Sequence, residues 1–475
     1  MARPGLVIRT FTWAVCVLLA TSGAAITPEQ VHLSIGEDTS TIVVTWVTTN
    51  ATRESIVKYG LDRLDNKQSG SQEVFIDGGS EQRSFYIHRV RIANLTAGLI
   101  YYYVCGCESN WSPTFQFRAL PNHANWSPRL AIFGDLGVEN GRSLPELQRE
   151  TIELESFDAI FHVGDFAYNM DSDNARYGDQ FMSQIESVAS RVPYMTAVGN
   201  HELAYNFSNY RARFTMPGGD GQGQFYSFNL GPAHIIAFST EFYYYLYYGW
   251  VQLYNQFEWL RKDLQEANKP ENRKIRPWII AMAHRPMYCS NNNDAMHCCN
   301  IDNTVRTGFP FSRNSSTGYI LGLEDLFYNE GVDIIIAAHE HSYERFWPVY
   351  NLTVCNASFS QPYVEPPAPV HIVTGSAGSS EGLDPFLPGG HPWSAFRADD
   401  YGFTRMHIIN SSLITVEQVS VDQGTRGTTI DSFSIVKNLH GRGLYNCHQN
   451  TQPQTLPMTR LQLALNSRNT ELPIE

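Results

Sequence analysis

The sequence predicts a β-sandwich followed by a layered α/β domain, a fold class that rests on three observations. Short β-branched and aromatic runs follow one another over residues 25–120, with few helical patterns between them. From Arg129 onward, short apolar runs typical of buried strands alternate with helical patterns. The chain has 475 residues, of which 43% are hydrophobic, which is enough for two or three domains with their own cores. The overall class is therefore α+β, with an α/β second domain.

The N-terminal part, residues 25–120, alternates apolar and polar residues as half-buried strands do. The clearest runs are Val31–Ile35, Thr41–Thr48 and Ser84–Ile92. The segment Leu95–Tyr103 resembles the tyrosine corner of fibronectin type III domains. This resemblance implies a fibronectin type III-like sandwich, which we expect to be structural or adhesive. A polar linker with a proline at each end, residues 121–128, follows it.

The second domain is expected over residues 128–435. Its predicted buried strands are Leu130–Phe133, Ala159–Val163, Tyr194–Val198, Trp278–Ala283 and Ile334–Ala338. Apolar residues spaced four, three and four apart predict an amphipathic helix over residues 253–264. Further strands within residues 367–430 are expected to close the same domain. Residues 436–475 are rich in Gln, Asn, Thr and Pro and predict a flexible tail.

Residues 1–24 have the pattern of a secretory signal peptide. Arg3 and Arg9 place positive charge at the front, a short apolar run covers Phe11–Ala20, and small residues follow it. The apolar run is about half the roughly 20 residues that a membrane-spanning helix needs. We therefore expect a secreted or extracellular protein, with a lysosomal location compatible, and no stable membrane anchor.

Two further features agree with export. Acceptable N-glycosylation sequons begin at Asn50, Asn94, Asn110, Asn206, Asn314, Asn351, Asn356 and Asn410. The cysteines beyond the signal peptide are Cys105, Cys107, Cys289, Cys298, Cys299, Cys355 and Cys447. Because their number is odd, at least one is free or paired between chains. We expect glycans and disulfides, and the sequence leaves the pairing and the oligomeric state open.

The charge balance excludes one large class of function. The 34 Lys and Arg residues face 47 Asp and Glu residues, for a formal net charge of −13. A protein that binds nucleic acid through a basic surface is therefore excluded. An acidic protein also repels anionic substrates unless a local group of opposite charge overrides the overall field.

Each of the five predicted strands of the second domain is followed by side chains that can bind metal ions. These side chains are Asp135, Asp165, Tyr168, Asn200, His201, His284, His339 and His341. Ligands bind at the carboxyl ends of strands in open α/β sheets, so we expect these clusters to converge. The glycine before Asp135, Asp165 and Asn200 permits a tight turn out of each strand. Oxygen and nitrogen donors without thiolates exclude an iron–sulfur or structural Cys-zinc site.

The order of these clusters resembles that of the calcineurin-like metallophosphoesterases. Two details narrow the resemblance: the first cluster reads Asp-x-Gly at Asp135, and Tyr168 stands three residues after Asp165. Together they resemble the purple acid phosphatases, of the animal high-molecular-weight type with an N-terminal fibronectin-like domain. The resemblance implies a layered αββα metallophosphoesterase domain for the second part of the chain.

The resemblance also implies a binuclear centre of ferric iron and a divalent ion: zinc, with ferrous iron or manganese as alternatives. The implied ferric ligands are Asp135, Asp165, Tyr168 and His341. The implied divalent ligands are Asp165, Asn200, His284 and His339, so that Asp165 bridges. Anionic oxygen donors suit ferric iron, while imidazole and amide suit a divalent ion. One departure is Ala338, which replaces the usual glycine before His339 and puts the geometry of that turn in question.

The implied activity is hydrolysis of phosphate monoesters, small molecules or phosphopeptides, by a hydroxide on the metals. His201 is the expected proton donor to the leaving group, and His297 is a second candidate. Glu202 and Glu340 are expected to orient ligands. The run Glu241–Trp250 is interpreted as a half-buried segment, with an aromatic rim at the site as the alternative.

Two alternative functions remain at this point. One keeps the fold and makes the protein a di-zinc or di-manganese phosphodiesterase or nucleotidase. The other makes it a secreted glycoprotein without catalytic activity. The presence of all seven implied ligands favours an enzyme.

Overall fold

The computed structural model describes residues 27–292, 303–313, 316–355, 360–422 and 427–447. The expected signal peptide, His297, the sequons at Asn314 and Asn356, and residues 448–475 lie outside these ranges. Within them, no helix is both long enough and apolar enough to cross a membrane.

The N-terminal domain consists of two antiparallel sheets that enclose a small core. Its strands are β1 (Glu29–Ile35), β2 (Ile42–Thr48), β3 (Ile56–Gly60), β4 (Asn66–Ser69), β5 (Ser71–Ile76), β6 (Ser84–Ile92), β7 (Ile100–Cys107), β8 (Asn110–Trp111) and β9 (Phe115–Arg118). One sheet has the order β1-β2-β6-β5, and the other has the order β4-β3-β7-β8 with β9 paired to β7. Trp46 and Tyr103 are fully buried between them. The Tyr101 hydroxyl accepts a hydrogen bond from the Thr96 backbone N–H at 3.1 Å, as in a tyrosine corner, and the sandwich prediction is confirmed.

The second domain is built around two larger sheets. Its strands are β10 (Arg129–Phe133), β11 (Ala159–Val163), β12 (Tyr194–Ala197), β13 (Tyr226–Leu230), β14 (Ala233–Ala237), β15 (Trp278–Met282), β16 (Gly308–Arg313), β17 (Ser316–Leu321), β18 (Ile334–Ala337), β19 (Tyr343–Phe346), β20 (Val349–Tyr350), β21 (Thr353–Val354), β22 (Val370–Thr374), β23 (Ser394–Ala398), β24 (Gly402–Asn410), β25 (Leu413–Ser420) and β26 (Thr428–Val436). The six-stranded sheet has the order β12-β11-β10-β24-β25-β26, and the seven-stranded sheet has the order β13-β14-β15-β18-β22-β19-β23.

The helices of the second domain follow the expected amphipathic pattern. They are α1 (Leu144–Ile152), α2 (Ser172–Ala189), α3 (Ala204–Arg213), α4 (Trp250–Ala267), α5 (Pro270–Ile275), α6 (Thr304–Thr307) and α7 (Glu324–Glu330). In α4 the predicted leucines Leu253, Leu260 and Leu264 are fully buried, so that one face of the helix joins the core.

The direction of the strands brings the predicted clusters to one edge. Strands β10, β11 and β12 run parallel in the six-stranded sheet, and β14, β15, β18 and β22 run parallel in the other. The two sheets meet where Gly134 donates its backbone N–H to the Thr374 carbonyl at 2.9 Å. The loops that follow β10, β11, β12, β15 and β18 therefore lie near one another, as the α/β prediction requires.

The segment after β26 is packed against the domain. Lys437 is buried and lies 2.5 Å from an Asp333 carboxylate oxygen, and the Tyr445 hydroxyl donates to the Val332 carbonyl at 2.7 Å. Cys447 forms a disulfide with Cys355, 92 residues away. Residues 437–447 thus differ from the flexible tail expected from residue 436 onward, because a buried ion pair and a crosslink hold them.

The remaining described cysteines fall into two groups. Cys289 is disulfide-bonded. Cys105 and Cys107 are buried free thiols in β7. Burial raises the pKa of the Cys105 thiol, so this group is an unreactive part of the sandwich core.

Candidate metal centre

Several of the side chains at the strand ends are held on strained backbone. Asp135, Asp165 and His339 have φ angles of 59°, 53° and 70°, in the left-handed region that ordinary residues rarely adopt. Such strain persists when the surrounding structure fixes it, and it is concentrated at functional sites. All three side chains come directly after β10, β11 and β18, where the sequence placed them.

Asp135, Tyr168 and His341 form the first group of side chains. The Tyr168 hydroxyl lies 2.7 Å from His341 Nε2 and 3.2 Å from Asp135 Oδ1. His341 Nε2 is 3.6 Å from the same carboxylate oxygen. A phenol, a carboxylate and an imidazole thus point to one position, and all three are buried.

Asp165, His284, His339 and Asn200 form the second group. His284 Nε2 is 3.0 Å from Asp165 Oδ2, 3.1 Å from Asn200 Oδ1 and 3.2 Å from His339 Nδ1. One ligand atom from each of Asp165, His284 and His339 falls within 4.8 Å of the others, a spacing that a single ion can bridge. All seven predicted ligands therefore lie in two adjoining groups.

Hydrogen bonds from the backbone orient several of these side chains. Glu202 accepts from the backbone N–H groups of Asp165, Phe166 and Gly199 at 2.9–3.0 Å, and it is almost fully buried. His284 Nδ1 donates to the Val163 carbonyl at 2.8 Å, which directs Nε2 to the centre. Glu202 thus ties the turn that contains Asp165 to the turn that precedes Asn200, the orienting contact expected of it.

Buried carboxylates in the two groups shift the pKa values of the neighbouring histidines His284 and His341. Burial opposes ionisation of Asp165, but the imidazoles of His284 and His201 outweigh burial and hold its pKa below the ordinary value. Burial likewise disfavours charge on His284 and His341. The carboxylates of Asp165 and Asp135 outweigh burial and raise the pKa of His284 to about 10 and that of His341 to about 9. The centre therefore favours positive charge, which suits cations.

Tyr168 provides a further test of whether metal ions fit. Burial, and then the charges of Asp135 and Asp165, hold its pKa well above the usual range. Its proton lies in the hydrogen bond to Asp135, so a cation that binds between these oxygens would replace that proton. Carboxylate, phenol, amide and imidazole donors form a coherent oxygen and nitrogen set for two ions, and the residues fit a binuclear centre.

His201 lies beside the centre with its side chain partly exposed. Its Nδ1 is 3.0 Å from Asn169 Oδ1, and its Nε2 is 3.9 Å from Asp165 Oδ2. Its ring also packs against Tyr168, with the centroids 4.5 Å apart. Glu381, an exposed carboxylate, lies 3.7 Å from His201 Nε2. The second proton-donor candidate, His297, is outside the described residues.

The alanine that departs from the family pattern is accommodated by Gly134, which directly follows β10 of the other sheet. A Cβ at Gly134 would lie 2.3 Å from the Cβ of Ala338, so the methyl group occupies the space that Gly134 leaves free. Ala338 donates its backbone N–H to the His284 carbonyl at 2.8 Å. His339 and His341 both reach the centre with the methyl group in place.

Sequence reasoning missed the loop after β22. Asp384 accepts from the His341 backbone N–H at 2.7 Å, and the Gly382 carbonyl accepts from His341 Nδ1 at 2.9 Å. A Cβ at Gly375 would lie 2.7 Å from Asp135 Oδ2, so only glycine allows this close approach. The glycines that follow the predicted strand Val370–Thr374, together with the carboxylates Glu381 and Asp384 in the same loop, were the available signal.

Arg285, directly after His284, is a second residue that the sequence did not single out. Its Nη1 donates to His339 Nε2 at 2.8 Å, and its Nε donates to a Glu241 carboxylate oxygen at 2.9 Å. Its guanidinium also lies over the ring of Tyr244 at 4.5 Å. The aromatic segment that begins at Glu241 is thus in contact with the centre through Arg285, with Phe242 and Tyr243 buried and Tyr247 exposed.

Comparisons with known proteins agree with this geometry. Residues 28–119 match the "Purple acid Phosphatase, N-terminal domain" family, residues 128–343 the "Calcineurin-like phosphoesterase" family, and residues 368–432 the "Iron/zinc purple acid phosphatase-like protein C" family. Acid phosphatase type 7 of Homo sapiens is 52% identical over 421 residues, which cover 88% of this chain and 93% of the relative. Acid phosphatase type 7 of Danio rerio is 51% identical over 431 residues, which cover 90% of this chain and 95% of the relative.

A solved structure extends the match to the fold. The structure of purple acid phosphatase PPD1 isolated from yellow lupin (Lupinus luteus) seeds aligns with a TM-score of 0.72 at 25% identity. The alignment covers 91% of this chain and 78% of that chain. By its sequence, its fold and its relatives, the chain belongs to the purple acid phosphatase family.

Proposed function

We propose that this protein is a secreted acid phosphatase that hydrolyses phosphate monoesters at a centre of ferric iron and a divalent ion. The observation that carries the proposal is the convergence of two groups of donors on adjoining positions. The phenol of Tyr168 lies 2.7 Å from His341 Nε2, and His284 Nε2 lies 3.0 Å from Asp165 Oδ2. The relatives named acid phosphatase type 7 support the same reaction class.

The assignment of residues to ions follows the two groups. Ferric iron would be held by Asp135, Asp165, Tyr168 and His341. The divalent ion, with zinc favoured over ferrous iron and manganese, would be held by Asp165, Asn200, His284 and His339. When bound, the two ions would supply Lewis acidity toward the phosphoryl group and toward water.

The chain's own residues supply positioning and proton transfer. Glu202 holds the turns that carry Asp165 and Asn200 in register through three backbone N–H groups. His201 protonates the leaving oxygen from the open side of the centre, since its Nε2 is held near Asp165 without a close hydrogen bond. Asn169 fixes the opposite ring nitrogen, so the imidazole keeps one orientation.

Secretion and glycosylation are part of the proposal. The Cys355–Cys447 disulfide supports an oxidising compartment. The sequon asparagines Asn50, Asn94, Asn351 and Asn410 are exposed, as glycan acceptors must be. A lysosomal location is compatible with the same observations.

The test is hydrolysis of p-nitrophenyl phosphate between pH 4 and 7 by wild-type protein and by Asp165→Asn. We expect wild type to turn over and the variant to lose at least a hundredfold in kcat, because Asp165 belongs to both sets of ligands. Bis-p-nitrophenyl phosphate, a diester, is the matched control substrate. A wild type no faster than the variant would exclude catalysis, and preference for the diester would favour the phosphodiesterase alternative.

A further inference from the structure

We propose that the N-terminal domain positions the catalytic residue His201. The segment responsible is the tip of the β5–β6 hairpin, residues 77–83, which we call the hairpin tip. It lies against two turns, residues 173–175 and 205–207, that follow the loops meeting at His201. This inference rests on the proposed function, since the role of His201 is assigned there.

Two turns of unusual conformation interrupt the first residues of α2 and α3, just after the loops that carry Tyr168 and Asn200. In residues 173–175 the φ angles are 49°, 53° and 65°, and in residues 205–207 they are 53°, 55° and 61°. Neither turn contains a glycine, so each keeps three successive side-chain-bearing residues in the left-handed region. Backbone of this kind persists only where its surroundings hold it in place.

The hairpin tip provides such contacts at the first turn. Asn174 Oδ1 accepts from the Glu81 backbone N–H at 3.0 Å, and its Nδ2 donates to a Glu81 carboxylate oxygen at 3.2 Å. Arg83 donates to the Asn174 carbonyl at 3.3 Å and forms a close ion pair with Asp179 in α2. Glu81 is also paired with Arg176 at 2.7 Å. Five contacts thus join the tip to the first turn and to the residues of α2 that follow it.

The same hairpin tip contacts the second turn. A Cβ at Gly78 would lie 2.5 Å from atoms of the Tyr205 ring, so the backbone of the tip rests directly on that ring. Asp77, which is almost fully buried, accepts from Asn209 Nδ2 in α3 at 3.0 Å. One element of the N-terminal domain therefore holds both turns.

The two turns are linked to His201 by short paths. Ser172, beside the first turn, donates its backbone N–H to the Asn169 carbonyl at 3.0 Å. The second turn begins three residues after Glu202, at the end of the short helix Asn200–Glu202. The hydrogen bond between Asn169 Oδ1 and His201 Nδ1 joins the two loops. A displacement of either turn therefore changes where the imidazole of His201 points.

The variant Asn174→Gly tests whether the hairpin tip positions His201 or only stabilises the fold. Glycine adopts the left-handed region freely, so the turn keeps its shape while the side-chain contacts with the hairpin tip are lost. The double variant Asn174→Asp with Glu81→Gln is the conservative rescue, because it keeps the acceptor oxygen for the backbone N–H of position 81 and lets the Gln amide donate to the Asp carboxylate. Tyr103→Phe is the matched control, because it removes another contact between the domains, the 2.7 Å hydrogen bond to the Ser190 carbonyl at the far end of α2.

The measurement is kcat for p-nitrophenyl phosphate, which has a good leaving group, and for an alkyl phosphate, which needs a proton on its leaving oxygen. For Asn174→Gly we expect kcat on the alkyl phosphate to fall about tenfold, because a misdirected acid transfers its proton poorly. We expect less than about a twofold change on p-nitrophenyl phosphate, since that leaving group requires little protonation. Metal content should be unchanged, and the Asn174→Asp/Glu81→Gln double variant and Tyr103→Phe should have the kcat of wild type on both substrates.

Several outcomes would overturn the inference. For Asn174→Gly, these are an equal fall in kcat on both substrates, a fall in kcat accompanied by loss of metal, and a kcat equal to that of wild type. A Tyr103→Phe variant whose kcat falls only on the alkyl phosphate would also overturn it. Wild-type protein that hydrolyses neither substrate would instead overturn the proposed function, and this inference with it.

Discussion

His201 faces the open side of the centre with one ring nitrogen fixed and the other available. Nδ1 is held by Asn169, while Nε2 lies 3.7 Å from Glu381 and 3.9 Å from Asp165. Neither carboxylate lies within hydrogen-bond distance of Nε2, so this nitrogen stays available to a substrate. The arrangement supports the proposed role of His201 as the general acid that protonates the leaving group.

Substitution of His201 by glutamine tests this role. His201→Gln keeps a polar side chain of similar reach but removes the titratable group. We expect kcat for an alkyl phosphate to fall roughly a hundredfold, within the range for loss of a general acid, and kcat for p-nitrophenyl phosphate to fall much less. Steady-state kinetics on both substrates is the measurement. Equal losses on the two substrates would assign His201 to binding alone.

The predicted site residues show which features of the sequence were informative. The side chains of all seven predicted ligands come together because each follows a buried strand, and strand direction is readable from the pattern of the chain. The glycines before Asp135, Asp165 and Asn200 were expected to permit tight turns. The structure shows that glycine is required at these positions for different reasons. Gly164 has a φ of 89°, whereas a Cβ at Gly199, whose φ is −116°, would lie 2.3 Å from Asp165 Oδ1.

Residues that act through three-dimensional proximity could not be found in this way. Arg285 and Asp384 contact the centre from loops whose positions depend on the packing of two sheets. Neither residue belongs to a recognisable sequence motif. By contrast, His162 lies inside the predicted strand Ala159–Val163 and is a fully buried residue whose Nδ1 lies 2.7 Å from the Tyr194 hydroxyl.

At the level of elements, the buried strands and the helix α4 were predictable and the turns after the metal-binding loops were not. Apolar runs such as Ala159–Val163 and Trp278–Met282 have the composition of strands covered on both faces. The left-handed turns at 173–175 and 205–207 have no glycine to mark them. They are stabilised by contacts with a different domain, and single-sequence patterns do not contain that information.

A buried charge network fixes the opposite end of β18 from the metal-binding histidines. Asp333 accepts from the Ile279 backbone N–H at 2.8 Å and pairs with Lys437 at 2.5 Å and Arg273 at 3.3 Å. Burial opposes its ionisation, but Lys437 and Arg273 outweigh burial and hold the pKa of Asp333 below its ordinary value. The network joins the C-terminal segment to the strand that carries His339.

Asp333→Asn tests the energetic weight of this network. The variant leaves Lys437 and Arg273 buried without their counter-charge, so we expect a loss of about 3–5 kcal/mol in stability at pH 7. Because the folded pKa lies below the unfolded value of about 4, the carboxylate stabilises the fold fully above that pH. Its contribution is lost as the pH falls toward the folded pKa.

The measurement is thermal unfolding of chelator-treated wild type and variant at pH 7, 5 and 3. The difference between the two midpoints should stay nearly constant from pH 7 to 5 and become smaller at pH 3. A difference that grows as the pH falls would contradict the assigned sign. Chelation removes the separate effect of metal release at low pH.

At the scale of the whole molecule, the net charge of the chain and the charge of the proposed metal centre act on a phosphate substrate in opposite directions. The chain carries a formal net charge of −13, which repels phosphate at long range. Three anionic ligands around the proposed ferric and divalent ions would leave a local charge of about +2, which would attract a phosphate dianion at short range. The overall acidity was readable from composition, whereas the local sign depends on metals that the donor set implies.

The central claim is that Tyr168 and its partners hold ferric iron beside a divalent ion. The most direct test combines metal analysis with the visible spectrum of purified wild type and Tyr168→Phe. We predict one iron and one divalent ion per chain, with a visible absorption band in wild type that disappears in Tyr168→Phe while the divalent ion is retained. An active, colourless wild type that contains two zinc or two manganese ions and no iron would contradict the account.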